Sequence, residues 1–309
     1  MSDRLEKAPI FLNCLSRGGS NLFWNLFLTH PDVCSPILET LEIFRAGLRR
    51  PTLTGWRLAL LAGQPRLFDS WWLAARKPIP ERAKRFLDQT LHARKLDTVD
   101  DTEMRFKAPE TTYDRAEVAS SRLCAKNNNG LAFLSDILFD LYPDAVCFAL
   151  VRDPVALYES HKRRGISKTP EAFAHFFNTL TMRHRHDSER FARYHLVRFE
   201  DLLADPITFV DDVYRKAELD GDKVERIRLK SKTHFRRDGS YGADRQKGAH
   251  YWLTKDEVVS FLEPQINQLQ ASKLDHAERA RVRHLVAEAC DTLGYPTEEP
   301  AATTSTEPT

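Results

Sequence analysis

The chain has 309 residues, 42% of them hydrophobic, which is enough to fill the core of one large domain. Its 46 lysines and arginines nearly balance 44 aspartates and glutamates, so the +2 net charge makes no case for a nucleic-acid partner, and any basic site has to be local. The charged start MSDRLEKAP has no apolar h-region, no window reaches the length of a membrane span, and the cytoplasm is the expected compartment.

Taken in chain order, PIFLNC (9–14) predicts a buried strand, and Leu22, Phe23, Leu26 and Phe27 then recur at helical spacing until His30 and Pro31 stop the run. The region from Arg45 to about residue 101 is helical and irregular. It carries Trp56, Trp71, Trp72 and the helix-like PERAKRFLDQTLHARKL, and the whole 45–120 stretch is read as a helical insertion over a sheet. The tryptophans are expected in a core. Three further apolar runs, RLCAK (122–126), AVCFALV (145–151) and YHLVRF (194–199), alternate with the helical patterns LAFLSDILFDLY and PEAFAHFFNTLTMRHRHDSERFARY. That alternation predicts an α/β fold, a parallel sheet flanked by helices, over residues 1–294. Thr169 with Pro170, and Thr254 with Glu257, mark two helix starts. The Pro/Thr-rich end, 295–309, is expected to be disordered. Cys14, Cys34, Cys124, Cys147 and Cys290 are scattered and mostly apolar in context, as befits buried free thiols; no disulfide and no metal cluster is expected.

Between the first strand and helix lies SRGGSN. Backbone N–H groups from Gly18 to Leu22 would meet there at the positive end of the helix, Ser20 can add a hydroxyl donor and Arg17 a permanent charge, which together make an anion site for a phosphate. The same Gly-Gly segment also reads as a plain turn. The order G-x-x-x-x-G-K-[ST], which would hold a nucleoside triphosphate with magnesium, is absent. A second strand ends in Arg152-Asp153-Pro154, with Ser160 eight residues after the arginine, so both can face one pocket. The competing reading is a local Arg152–Asp153 pair.

Together with HLVRFEDLLADP (195–206) and DRQKGAHYWLT (244–254), these two elements resemble the sulfotransferase superfamily, in order from about Pro9 to the helix after Thr254. The resemblance implies 3′-phosphoadenosine 5′-phosphosulfate (PAPS) as donor, adenosine 3′,5′-bisphosphate as product, a hydroxyl-bearing acceptor and no metal. It implies that Arg17, Gly18, Gly19, Ser20 and Asn21 bind the 5′-phosphosulfate. Arg152 and Ser160 would bind the 3′-phosphate, with Arg164 a further contact. Arg245, Lys247 and Gly248 resemble the basic-glycine loop over the nucleotide, and Lys126 resembles a second lysine on the transferring sulfate; its alternative is a surface lysine. Asn21 departs from the usual second hydroxyl, and Phe199, a nucleotide-side position, stands where the motif carries a tyrosine.

Transfer to an alcohol needs a general base. Cytosolic members place a histidine two residues after that lysine, where this chain has Asn128, which cannot take a proton. Tyrosylprotein and related members use a glutamate shortly after the first helix; Glu39 stands in that context, with Glu42 as second choice. The insertion would lie on the acceptor side, and saccharide, glycolipid, small alcohol or peptide acceptors all stay open. Two other classes remain, a P-loop kinase or nucleotide hydrolase and a non-catalytic nucleotide- or protein-binding relative. RHRHD (183–187) invites a metal reading, but His184 and His186 face different ways on a helix and a solvated face is expected.

Overall fold

Five short runs form one parallel sheet in the computed structural model, which describes residues 4–45, 51–64, 78–99, 114–230 and 249–295. They are β1 (Ile10–Cys14), β2 (Val33–Cys34), β3 (Arg122–Asn128), β4 (Val146–Val151) and β5 (Tyr194–Arg198), in the spatial order β2-β3-β1-β4-β5. Every residue of β1 and β4 is buried, the expected state of strands covered on both faces, and this is why they read as unbroken apolar runs. The fold is α/β as the alternation of elements implies. At two residues, β2 is too short to show a pattern. A separate antiparallel pair, β6 (Ile227–Lys230) and β7 (His250–Leu253), was not foreseen.

The helices are α1 (Ser20–Thr29), α2 (Thr40–Phe44), α3 (Leu53–Ala62), α4 (Glu81–Leu96), α5 (Arg115–Ser120), α6 (Ser135–Leu141), α7 (Pro154–Arg163) and α8 (Pro170–Arg190), followed by α9 (Phe199–Ala204), α10 (Pro206–Lys216), α11 (Lys255–Phe261), α12 (Ile266–Ala271), α13 (His276–Leu285) and α14 (Ala287–Leu293). Alternation of side chains along each strand divides the core. Ile10, Leu12, Phe148 and Leu150 face α1, α9 and α10, while Phe11, Cys147 and Ala149 face α4 and α6. A third cluster joins α7 and α8 to α13 and α14 through Tyr158, Phe173, Phe177 and Val286.

Both helix starts marked in the sequence hold. Thr169 Oγ1 accepts the Ala172 N–H at 3.2 Å with Pro170 as first helical residue, and Thr254 and Glu257 cap each other reciprocally. All five cysteines are buried and free, and burial pushes the Cys14 thiol up to about 12. No described helix is long and apolar enough to cross a membrane.

Three expectations need correction. His184 and His186 do diverge, but only Arg185 and His186 are solvated: α8 turns Thr181, His184 and Asp187 inward at three-residue spacing, and all three are buried. His184 Nδ1 lies 2.7 Å from Tyr194 Oη, and Asp187 pairs with Arg183 at 2.8 Å. Tyr295, assigned to a disordered tail, is buried and donates to Glu200 Oε2 at 2.7 Å; residues 296–309 lie outside the described set. Trp56 is partly exposed rather than core, and Trp71 and Trp72 lie outside the described residues.

Candidate active site

Strand register assembles the site. Cys14 at the end of β1 is level with Asn128 on β3 and Leu150 on β4, so the turn after β1, the end of β3 and the Arg152 corner meet at the carboxyl edge of the sheet. In open parallel sheets that edge is where ligands bind.

The turn from Leu15 to Gly19 is fixed from several sides. Arg17 has φ 68°, in the left-handed region that costs a non-glycine residue roughly 1–2 kcal/mol, and Gly19 has φ 94°. Surrounding groups hold this shape. Gly18 N–H donates to Leu15 O at 3.0 Å, Ser16 N–H to Asn129 Oδ1 at 2.8 Å, and His161 Nε2 lies 2.9 Å from Ser16 O. A side chain at Gly19 would come within 2.5 Å of the Phe199 ring, so ring and glycine define each other's place. Phe199 thus packs against the turn, with the Arg152 guanidinium over its ring at 4.9 Å. Phe23 N–H returns to Gly19 O, and the N–H groups of the first turn of α1, which a helix leaves without internal partners, open at this edge beside Ser20 and Asn21.

Arg17 Nε donates to Ser160 Oγ at 3.2 Å, and Arg152 Nη1 donates to the Arg17 carbonyl at 3.0 Å. Arg17, Ser160 and Arg152 are therefore one connected group. Arg152 is only 4% exposed; its Nε reaches Asn267 Oδ1 at 2.8 Å and its Nη2 reaches Gln270 Oε1 at 2.9 Å, both on α12. The proposed local pair is absent, because the Asp153 carboxylate instead caps α7 through Ala156 N–H at 2.7 Å. Glu200 supports the arrangement from behind, accepting from Asp153 N–H, Asn267 Nδ2 and Tyr295 Oη at 2.9, 2.5 and 2.7 Å. No carboxylate among the described residues is hydrogen-bonded to Arg152 itself. Burial brings its guanidinium down to about 10, and burial followed by the charges of Arg164 and Arg163 lowers Arg17. Two cations disfavoured by burial, one of them also by neighbouring arginines, beside open N–H donors favour an anion, so the donor set fits a phosphorylated ligand. Arg164 is exposed at the end of α7. Arg245, Lys247 and Gly248 lie outside the described residues.

A second group was only half legible. Lys126 is 1% exposed, which removes the surface reading. Its Nζ lies 2.5 Å from Glu39 Oε1, donates to Asn21 Oδ1 and stands 4.7 Å over the Trp24 ring. Asn128 Nδ2 donates to the other Glu39 oxygen, Oε2, at 2.5 Å. Lys126 and Asn128, two apart on β3, thus point to one side of the strand and grip both oxygens of one carboxylate. Glu39 sits just before α2, 29% exposed at its side chain, whereas the exposed Glu42 spends its Oε2 on the Glu39 backbone N–H at 3.1 Å. Both glutamates take part in the capping box that starts α2, but only Glu39 also meets Lys126 and Asn128. Asn21, Asn128, Asn129, Trp24, His161 and Asn267 gave no sequence signal for these contacts, apart from the asparagine run 127–129.

A model described as the sulfotransferase family matches residues 9–223. No curated protein matches the chain. Similar solved structures include the sulfotransferase domain of the Synechococcus PCC 7002 olefin synthase, 18% identical over 97% of this chain and 99% of that one, with a TM-score of 0.48. The sulfotransferase domain from the curacin biosynthetic pathway is 14% identical, covering 95% and 99%, at 0.42. Sulfotransferase STF1 from Mycobacterium tuberculosis H37Rv is 18% identical, covering 87% and 77%, at 0.39.

Proposed function

The chain belongs to the sulfotransferase family, and we propose that it moves a sulfuryl group from PAPS to an acceptor hydroxyl borne by a saccharide, glycolipid, small alcohol or peptide. The observation that carries this reading is the meeting, at one sheet edge, of a cationic turn with a carboxylate: Arg17, Ser160 and Arg152 on one side, Lys126 and Glu39 on the other.

When bound, PAPS supplies the sulfuryl group and its phosphate leaving group. Arg17 and the backbone of Gly18 to Asn21 bind the 5′-phosphosulfate and neutralise charge there, a task for a cation and helix-end donors. Arg152 and Ser160 bind the 3′-phosphate, with Arg164 adding charge at the pocket rim. Phe199 holds the turn in shape, taking no hydrogen bond of its own. Glu39 takes the proton of the acceptor hydroxyl, and Lys126 lies between that base and the turn. Positioning and charge supply the catalysis, as in phosphoryl transfer. The acceptor would approach from the side of the 45–120 helices, since α2 starts on Glu39 and α3 packs on α2 with Gly55 against the Arg45 and Phe44 carbonyls.

Adenosine 3′,5′-bisphosphate should raise the melting temperature without added metal, since a ligand that binds only the folded state stabilises it by mass action. Radiolabelled PAPS with an acceptor panel then reads transfer. An equal or larger shift from ATP with magnesium would move the assignment to a kinase or nucleotide hydrolase.

A further inference from the structure

The ammonium of Lys126 is shared between two groups with different tasks. It bonds Asn21 Oδ1 at the anion-binding turn and Glu39 Oε1 at the proposed base, and with 1% exposure it has little water to fall back on. The cation also faces the Trp24 ring, so its side chain lies in a walled slot rather than on a surface. A buried ammonium has three protons to place, and an anion arriving at Asn21 offers it a charged acceptor where it now has a neutral amide oxygen.

We propose that Lys126 couples donor binding to release of the base. Glu39 is held by Lys126 at Oε1 and by Asn128 at Oε2, so both oxygens are engaged. A sulfuryl group at the turn competes for Lys126, and the proton acceptor is uncovered only when the donor is in place. Asn128 keeps its hold on Oε2 throughout and fixes the direction in which Oε1 opens; it is a positioning residue standing where cytosolic relatives carry a histidine. No bond is made or broken covalently in this exchange.

The inference rests on the reading of Glu39 and PAPS given above and makes a prediction of unusual sign. Glu39→Gln weakens the grip on Lys126, because it removes the charge–charge attraction of the ion pair and leaves only a neutral amide oxygen to accept from the ammonium. PAPS, titrated calorimetrically without acceptor, should therefore bind roughly three- to tenfold more tightly to Glu39→Gln than to the wild type. Adenosine 3′,5′-bisphosphate, which lacks the sulfuryl group, should bind both alike. In a Lys126→Met background, adding Glu39→Gln should leave PAPS affinity unchanged, and Asn128→Ala should leave the ratio of PAPS to bisphosphate affinity at its wild-type value. Melting curves check that each variant folds. Unchanged PAPS affinity in Glu39→Gln overturns the coupling while the donor assignment stands, and so does a ratio that moves equally in Asn128→Ala, which marks general loosening. Failure of the wild type to bind PAPS at all overturns the donor assignment and the coupling with it.

Discussion

Replacing Arg152 by alanine separates recognition of the 3′-phosphate from support of the turn. The guanidinium has five N–H donors, and Asn267, Gln270 and the Arg17 carbonyl take three, which leaves one on each terminal nitrogen uncommitted among the described residues. Hydrogen bonds to a charged group are worth about 1.5–3 kcal/mol, so even one such bond to a 3′-phosphate corresponds to roughly ten- to hundredfold in affinity. The same substitution strips three acceptors of their donor and frees the Arg17 backbone, so the variant should also melt lower and lose some affinity for every nucleotide. Absolute affinity therefore decides nothing, and the ratio decides everything. Calorimetric titration with adenosine 3′,5′-bisphosphate and with adenosine 5′-phosphate should show the preference for the bisphosphate falling at least tenfold in Arg152→Ala. It should fall less in Ser160→Ala, which removes a neutral hydroxyl, and the two should be non-additive because both face one phosphate. Asn267→Ala, which leaves the charge but loosens it, should reduce stability and keep most of the preference. Equal losses for both nucleotides in Arg152→Ala would reduce the residue to a brace for the turn and refute the assignment.

Glu39→Gln should lower turnover by about 10²–10⁴-fold in steady-state assays, the range for a lost general base, while Glu42→Gln should cost well under tenfold because that carboxylate is committed to the helix start. Gly19→Ala should destabilise by roughly 2–4 kcal/mol, the sum of a left-handed backbone penalty and a clash with Phe199, and combination with Phe199→Leu should recover part of it; simple additivity in melting experiments would show that the ring contact is not the cause. Burial lowers His184 to about 3 from 6.5, so the unfolded chain takes up a proton in that window that the folded chain refuses. Stability should fall as pH drops from about 6.5 toward 3, by up to about 1.4 kcal/mol per pH unit from this group, and His184→Gln should flatten that slope in denaturant titrations.

Local chemistry made some of this visible in the chain and long-range geometry hid the rest. β1, its turn and α1 follow one another within 20 residues, and each has its own signal in apolar spacing, glycine or a stop at His30 and Pro31. The caps at Thr169 and Thr254 are likewise local, a side chain bonding three residues ahead. Lys126 and Glu39 are different: they meet because β2, which leads to Glu39, pairs with β3 in a register that no single segment specifies. Asn128 could be dismissed as a base from its chemistry, yet its use as a donor to Glu39 depends on that same register. Arg152 could be placed at a strand end, but its partners lie 115 and 118 residues further on. The inward phase of His184 and Asp187 was misread because charged flanks, Arg183 and Arg185, masked an apolar stripe of Phe173, Phe177 and Leu180.

The way the turn is pinned has a consequence for biosynthesis. Its immediate sequence emerges early, but Ser160 and His161 reach it across 143 and 145 residues, and the Arg152 brace waits on α12 and on the Glu200 carboxylate that Tyr295 completes. At translation rates of roughly 5–20 residues per second, the chain between Ser160 and Tyr295 takes about 7 to 27 seconds to be made. During most of that interval the left-handed Arg17 lacks the full Arg152 brace, whose partners Asn267 and Gln270 are still to be made. Contacts this distant in sequence close late, because loop entropy has to be offset before they form. A ribosome-bound chain halted after β5 therefore carries every strand of the main sheet without the α12 partners of Arg152, and the proposed nucleotide site would be completed only with the last helices.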